Sequence, residues 1–335
     1  MDARISDETT RAVHEAVEAA VWAPSPHNSQ PWSFVVSGDE IALRADPDRK
    51  LRVADPDGRQ MVVSCGAALF NVRVTLRALG YHPEVRKRPD PQRPLLLATV
   101  RPAQAGAQAR GEPDEHARLL HAEIERRRTH RSGFTGLAVA DELVDVLVAQ
   151  AADEGARLRP IRAEEDARVL AALTGAAQDV QSRDRLFSLE IMRWARPPGS
   201  TRQDGVPAGS YPAASGRTRP QYFAQRDYAR GHDWGVESDE PGATGLVAVL
   251  TTRGDDADDW LTAGQTLQRV LLYASAYGLS AAFHTQALEL PDLREFIRKH
   301  VCDGAYPQMI MRLGFAVDEA GSVRRPPAEV TEEQA

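Results

Sequence analysis

The segment Ala23-Pro24-Ser25-Pro26-His27-Asn28-Ser29-Gln30-Pro31-Trp32-Ser33-Phe34 gathers proline, serine, asparagine, glutamine and tryptophan into one turn. A helical pattern, Arg11 to Trp22, precedes it and an apolar strand, Trp32 to Val36, follows. Prolines fix φ and remove donors, so the loop is stiff, and Ser25, Asn28 and Gln30 place hydrogen-bonding side chains on it. Such a loop suits a planar heteroaromatic ligand whose edges carry donors and acceptors. A capped helix followed by an ordinary proline-rich turn, with Trp32 in the core, explains the same residues, and spacing alone leaves both readings open. A second constellation is Arg126-Arg127-Arg128-Thr129-His130-Arg131-Ser132-Gly133-Phe134. Its guanidinium groups could fork onto phosphate oxygens. A solvated basic helix end is the alternative, and taken alone it is the plainer one.

The elements that must position these residues follow from periodicity. Residues 7–22 read as an amphipathic helix, with Ser6 as a plausible cap, and residues 32–36 and 41–45 as a hairpin. Met61 to Leu79 forms a buried helix closed by Gly80, Leu95 to Val100 a strand, and Pro102 to Glu115 a linker. The second half opens with a helix over Glu115 to Arg128, with further helices at 140–154 and 163–181. Residues 195–220 form a Gly/Pro/Ser-rich stretch of functional or disordered length. A strand at Gly245 to Thr252, a buried helix at Trp260 to Tyr277 and a strand at Met309 to Phe315 complete the pattern. The two buried helices resemble each other. Setting Gly66 against Gly264 also aligns Leu69 with Leu267, Val72 with Val270, Ala78 with Ala276 and Gly80 with Gly278. Chance agreement competes, because core positions admit few residue types, but the matched glycines favour duplication.

Composition sets limits. At 335 residues with 42% hydrophobic and 27% charged content, the chain is long enough for a large core or two domains. A net charge of −7 argues against a general nucleic-acid surface. Cys65 and Cys302 give no disulfide framework, the N-terminal residues lack a secretory apolar stretch, and no run reaches transmembrane length. A cytoplasmic protein without a membrane or nucleic-acid partner is expected. His116 and His121 lie five apart, on different helix faces, and no HExxH occurs, so no metal site is expected. Asp255, Asp256, Asp258 and Asp259 are expected to stabilise the N-terminus of the helix at Trp260.

The chain resembles the nitroreductase-like flavoprotein superfamily, and within it the Acg-type actinobacterial and mycobacterial branch. Pro24, Ser25, Asn28, Gln30, Pro31 and Trp32 match the family's Pro-Ser-x-x-Asn-x-Gln-Pro-Trp motif, and Arg127, Thr129 and Arg131 its Arg-x-Ser/Thr-x-Arg/Lys motif. Gly264 to Gly278 is similar to the family's buried helix and Val323-Arg324-Arg325-Pro326 to its basic tail. Motif order departs from the family: here the Arg motif follows the Pro-Ser loop, and Pro207 to Ser215 does not repeat that loop. Complementary loss in two halves implies an α+β nitroreductase-like fold duplicated in one chain. This fused pseudo-dimer would have mixed antiparallel sheets packed by helices and one FMN between the halves. The halves are 1–105 and 106–335, the second with a lid-like insertion at about 186–235.

The resemblance also implies roles. Arg127, Arg128, Arg131, Arg324 and Arg325, with Thr129, would hold the ribityl phosphate and pyrimidine edge. Pro24, Ser25, Asn28 and Gln30 would cover the ring, and the segment containing His284 and Thr285 would face flavin N5. Hydride transfer needs no side-chain acid or base, so no catalytic residue is assigned. Tyr222, Phe223, Tyr228 and Trp234 are candidates for a lid. The implied function is hydride transfer from NAD(P)H, bound transiently, to FMN and on to a nitro or quinone acceptor. The alternatives are a flavin-sequestering protein with a covered site and little turnover, or a reductase or dehydrogenase dedicated to one biosynthetic substrate. A monomer or a homodimer is compatible with the sequence.

Overall fold

The computed structural model describes residues 7–103, 114–212, 223–236, 242–316 and 321–334. Helix α1 (Asp7–Ala20) buries Ala12, Val13, Ala16, Val17 and Ala20 on one face. It leads through the proline-rich loop into a hairpin of β1 (Trp32–Ser37) and β2 (Glu40–Ala45). Helix α2 (Arg59–Ala78) is buried on almost every side, as a central helix must be. The Asp55 carboxylate caps it, accepting from the backbone N–H of Gln60 (3.0 Å) and Met61 (2.9 Å). β3 (His82–Lys87) and β4 (Leu96–Ala103) complete the first run.

The second run comprises α3 (Glu115–Ala122), α4 (Asp141–Asp153), β5 (Arg157–Pro160), α5 (Glu164–Arg183) and α6 (Arg185–Trp194). A short parallel pair, β6 (Ala195–Arg196) and β7 (Val206–Pro207), follows. Then come β8 (Leu246–Thr252), α7 (Ala257–Ala276), β9 (Ser280–Phe283), α8 (Pro291–His300), β10 (Tyr306–Gly314) and β11 (Thr331–Gln334). One sheet has the order β11-β1-β2-β4-β3 and another β5-β8-β10-β9. Only the β1–β11 pair is parallel within these two sheets, so the C-terminal strand extends the sheet built by the first run. The observed class is mixed α+β.

The two glycines aligned by the repeat meet where α2 crosses α7. A Cβ on Gly66 would strike the Leu261 carbonyl oxygen and lie 3.0 Å from Gly264 Cα. One on Gly264 would strike the Val63 carbonyl oxygen and lie 2.8 Å from Gly66 Cα. The aligned side chains beside them exchange cores: Val63 of α2 packs with α4, α7 and the β5–β10 sheet, while Leu261 of α7 packs with α1, α2 and the first sheet. Gly80 (φ 87°) and Gly278 (φ 78°) follow the two helices in the left-handed conformation. α2 is long and apolar enough to cross a membrane, but 89% of that window is buried inside the protein.

Several boundaries differ from the sequence expectation. The helix expected over Glu115 to Arg128 stops at Ala122, because the chain leaves it to run beside β9. There the His130 N–H donates to the Ala281 carbonyl at 2.8 Å. α6, capped by Asp184, and α8, opened by Pro291, lie in stretches where no helix was expected. Asp256 and Asp259 form the capping box of α7, but Asp255 does not join it. Asp255 instead pairs with both terminal nitrogens of Arg294 (2.7 Å each) and accepts from Trp260 Nε1. Ser6 and most of the 102–115 linker lie outside the described residues.

Gly264→Ala is expected to lower stability by about 1–3 kcal/mol, since the carbonyl it meets belongs to a packed helix that cannot move aside. Denaturant unfolding monitored by tryptophan fluorescence measures this. A midpoint equal to that of the natural protein would remove the crossing from its central place.

Candidate functional site

The proline-rich loop is built against its backbone preferences. His27 (φ 52°), Asn28 (φ 55°) and Gln30 (φ 51°) are all left-handed without being glycine. Each such residue costs energy that surrounding contacts must offset. Those contacts are visible. Ser25 Oγ accepts from the Gln30 N–H at 2.9 Å. Asn28 Nδ2 donates to the carbonyls of Gly205 and Val323, both at 3.1 Å, and its Oδ1 accepts from Arg324 at 3.1 Å. Gln30 Nε2 donates to Gln203 O at 2.9 Å and its Oε1 accepts from the Arg325 N–H at 2.8 Å. The amides stitch the loop to two distant segments, and Trp32 sits beneath it, fully buried in the first core.

Behind the loop, guanidinium groups converge. Arg127 is 4% exposed and donates through Nη2 to Trp22 O (3.4 Å), while its Nε and Nη1 have no partner among the described residues. Arg324 donates to Trp22 O (3.1 Å), Val323 O (2.8 Å) and Ser322 Oγ, leaving Nε without a described partner. Arg128 and Arg324 lie over the Trp22 ring at 4.9 and 5.4 Å. Burial, then Arg128 and Arg131, push Arg127 down to about 9. Burial, then Arg127, Arg128 and Arg131, push Arg324 well below the ordinary arginine range. Like charges are held together with buried N–H groups lacking described partners, an arrangement whose charge and fork geometry would suit a phosphate. The niche beside them is lined by Pro24, Ser25, Asn28, Thr129, Arg131 and Arg324.

The niche shares Pro24, Ser25, Thr129 and Arg131 with a larger cavity whose open space, mouth included, is about 860 Å³. Val63 and Ser64 of α2, Leu267 of α7 and Met309 of β10 line it, with Phe283 and Thr285 at the end of β9 and Tyr211, Gln225, Arg226 and Tyr228 from the 186–235 stretch. Its polar wall is organised around Glu289, which accepts from Arg226, Thr285 Oγ1 (2.8 Å), Gln181 Nε2 (2.8 Å) and Gln60 Nε2 (3.1 Å). Burial pushes the Glu289 carboxyl up, but the Arg226 charge and hydrogen bond outweigh it and hold it at about 2. Gln60 Oε1, buried on the cavity wall, has no described partner.

The structure brings Pro24, Ser25, Thr129, Arg131 and Thr285 onto the cavity, and Asn28 and Arg324 onto its niche, with Arg127 and Arg128 adjoining through their charge. It does not bring Gln30, His284 or Arg325 there as side chains. Gln30 is clamped as described above. His284 Nε2 accepts from Arg312 Nε at 2.8 Å and its Nδ1 donates to Ala224 O at 3.3 Å, so its ring is fixed behind the cavity. Arg325 turns toward Glu329 (3.5 Å) and Arg49. Of the lid candidates, Tyr228 lines the cavity, Phe223 packs on His284 (4.8 Å), Trp234 stacks on His232 (4.4 Å), and Tyr222 lies outside the described residues. Sequence reasoning missed His27, an unspecified position of the motif. It missed Gln60 because the helix begins two residues before the expected Met61, and Arg226 and Glu289 because their pairing spans distant segments.

Two outcomes follow from these charges. Glu289 sits at about 2 against an ordinary 4.5, so its stabilisation is complete above the ordinary value and lost as pH falls toward 2. Glu289→Gln should therefore lower the melting temperature at pH 7, leaving Arg226 buried without its charge partner, and flatten the acid limb of stability. An acid limb unchanged in shape would refute the pairing. Inorganic phosphate should raise the melting temperature more than chloride at equal ionic strength, an effect absent in Arg127→Gln.

No family model matches the chain. The protein called "Putative NAD(P)H nitroreductase Rv3131" of Mycobacterium tuberculosis is 35% identical over 312 residues, covering 92% of this chain and 86% of that protein. "Putative NAD(P)H nitroreductase acg" of the same organism is 29% identical over 326 residues, covering 96% of each. Among solved structures, a nitroreductase with bound FMN from Desulfitobacterium hafniense aligns over 64% of this chain and 97% of its own, at 14% identity and a TM-score of 0.40. At 35% identity over 92% of its length with the first of these relatives, the chain belongs to the NAD(P)H nitroreductase family of the Acg and Rv3131 type.

Proposed function

We propose that the chain binds one FMN in this cavity and acts as an NAD(P)H-dependent oxidoreductase on a nitro or quinone acceptor. The observation that carries the reading is the set of buried guanidinium N–H groups of Arg127 and Arg324 without partners among the described residues, beside a cavity with apolar walls. The residues fit the cofactor. Arg127, Arg128, Arg131 and Arg324 offer charge and forked donors to a phosphate, with Thr129 and Ser25 beside them. Val63, Leu267 and Met309 offer apolar surface to a planar ring, and Gln60 Oε1 is a buried acceptor for a ring N–H. The names of the relatives supply the donor class, since both are called NAD(P)H nitroreductases. When bound, FMN supplies two-electron chemistry, taking hydride from a nicotinamide and passing electrons to a second substrate. The chain's own part is to hold the phosphate, exclude water with Tyr211, Pro212 and Tyr228, and keep the ring at the end of β9.

We read the chain as a fused pseudo-dimer divided near residue 105, with a single cofactor site. The repeat that sets Gly66 against Gly264 pairs the cavity residues Gln60, Val63, Ser64 and Leu267 with Asp258, Leu261, Thr262 and Leu69. That mirror position carries surface contacts and core packing. Arg88 pairs with Asp258 (3.3 Å), Lys87 donates to Thr262 Oγ1 (3.1 Å), and Leu261 and Leu69 are fully buried in the first core. One chain then supplies both halves of its site.

The cover formed by Tyr211, Pro212, Gln225, Arg226 and Tyr228 also favours a second reading, a protein that sequesters FMN with little turnover. The protein should contain one FMN per chain, and Arg127→Ala or Asn28→Ala should lose it while staying folded. Two flavins per chain, or full flavin in both variants, would overturn the site. Anaerobic addition of NADPH or NADH should bleach the flavin band. A band that persists with NAD(P)H but yields to dithionite would favour sequestration.

A further inference from the structure

Three rings stand together at the cavity. His27 meets Tyr228 edge-on, with centroids 5.7 Å apart and planes at 77°, and Tyr228 packs against Tyr211 at 5.3 Å. All three line the cavity and none is more than 5% exposed. Tyr228 Oη lies 2.8 Å from His27 Nδ1, and the Arg131 charge acts on the same phenol. That positive charge favours the lone pairs of the Tyr228 oxygen on its own side and turns the hydroxyl proton toward His27 Nδ1. This assigns the imidazole proton to Nε2. Neither His27 Nε2 nor Tyr211 Oη has a hydrogen-bond partner among the described residues. Burial first, then the charge of Arg226, hold His27 down at about 3, and burial holds the Tyr211 phenol up at about 12. Both are therefore neutral donors at physiological pH.

Their placement is costly. His27 sits in a left-handed backbone that the clamps on Asn28 and Gln30 maintain, and two buried donors without acceptors among the described residues oppose folding. A ligand oxygen relieves that cost. We propose that His27 Nε2–H and Tyr211 O–H bind an oxygen of the electron acceptor, so that this site selects nitro or quinone oxygens over rings without them. The assignment rests on the FMN reading of the same cavity. Donors fixed before the ligand arrives also favour the charge that grows on that oxygen as electrons reach it. A site that leaves donors unpaired discriminates strongly against a ligand lacking the matching acceptor.

The test uses the FMN-loaded, oxidised protein without reductant, following flavin absorbance as 1,4-naphthoquinone or the oxygen-free naphthalene is titrated. The natural protein should prefer the quinone by about tenfold or more. Tyr211→Phe keeps the ring, and His27→Asn keeps a residue that tolerates the left-handed backbone. Each should bring the preference close to unity while naphthalene affinity and FMN content stay unchanged. An undiminished preference in both variants overturns the assignment. Loss of FMN from either variant also overturns it, because those donors would then serve the flavin. A natural protein that takes up no FMN overturns the functional reading itself, a different result from bound flavin with unchanged preference.

Discussion

The close crossing of α2 and α7 fixes the distances on which the site depends. Because Gly66 and Gly264 have no side chains, the carbonyls of Val63 and Leu261 come within the space a Cβ would need. The helices therefore cross almost backbone to backbone, and residues one turn away spread to either side. Val63, Ser64 and Leu267 reach one cavity through that geometry, while Leu261 and Leu69 on the other side are fully buried in the first core. A larger residue at either glycine would separate the helices and open both sides together. The difference between a cavity and a filled core thus comes from the side chains around one shared contact.

Against that rigid centre, the site accumulates features that work against folding. Three non-glycine residues in four occupy the left-handed region, and several guanidinium groups gather around Trp22 with open N–H groups. Repulsion of this kind is tolerated only where the scaffold over-determines the geometry. Asn28 supplies much of that determination, since one amide contacts Gly205, Val323 and Arg324. The polar wall shows the opposite logic. Glu289 faces Arg226, Thr285, Gln181 and Gln60, so its buried charge is fully answered and it anchors the 226–228 segment. One part of the cavity is left unsatisfied and the other is closed by its own partners.

The local parts of this arrangement were legible in the sequence. The proline-rich loop and the Arg127–Arg131 stretch each carry their chemistry within a few residues, and the two glycines aligned by the helix repeat turn out to meet at the crossing. The architecture of the polar wall was not legible. Arg226 and Glu289 are ordinary residues until a helix pair and a strand end bring them together, and neither periodicity nor composition encodes that meeting. Gln30 and Arg325 show a different failure. Both belong to segments that do reach the site, but Gln30 Oε1 accepts from the Arg325 backbone, so they join the segments and leave the cavity to Asn28 and Arg324. His284 likewise supports its segment from behind through Arg312, while its neighbour Thr285 faces the cavity.

The C-terminal tail ties these levels together. Val323 and Arg324 bond Asn28, the Arg325 N–H bonds Gln30, and a few residues later β11 pairs in parallel with β1. The same short stretch therefore closes the edge of the first sheet and contributes Arg324 to the arginine-lined niche. Its two ends are pulled by different forces: ladder hydrogen bonds at β1, and at the niche a balance between amide clamps and repulsion from Arg127, Arg128 and Arg131. A bound anion would neutralise that repulsion and so remove a term that pushes the tail away. Filling the niche and fixing the tail on the first sheet must then favour each other, because a single segment carries both.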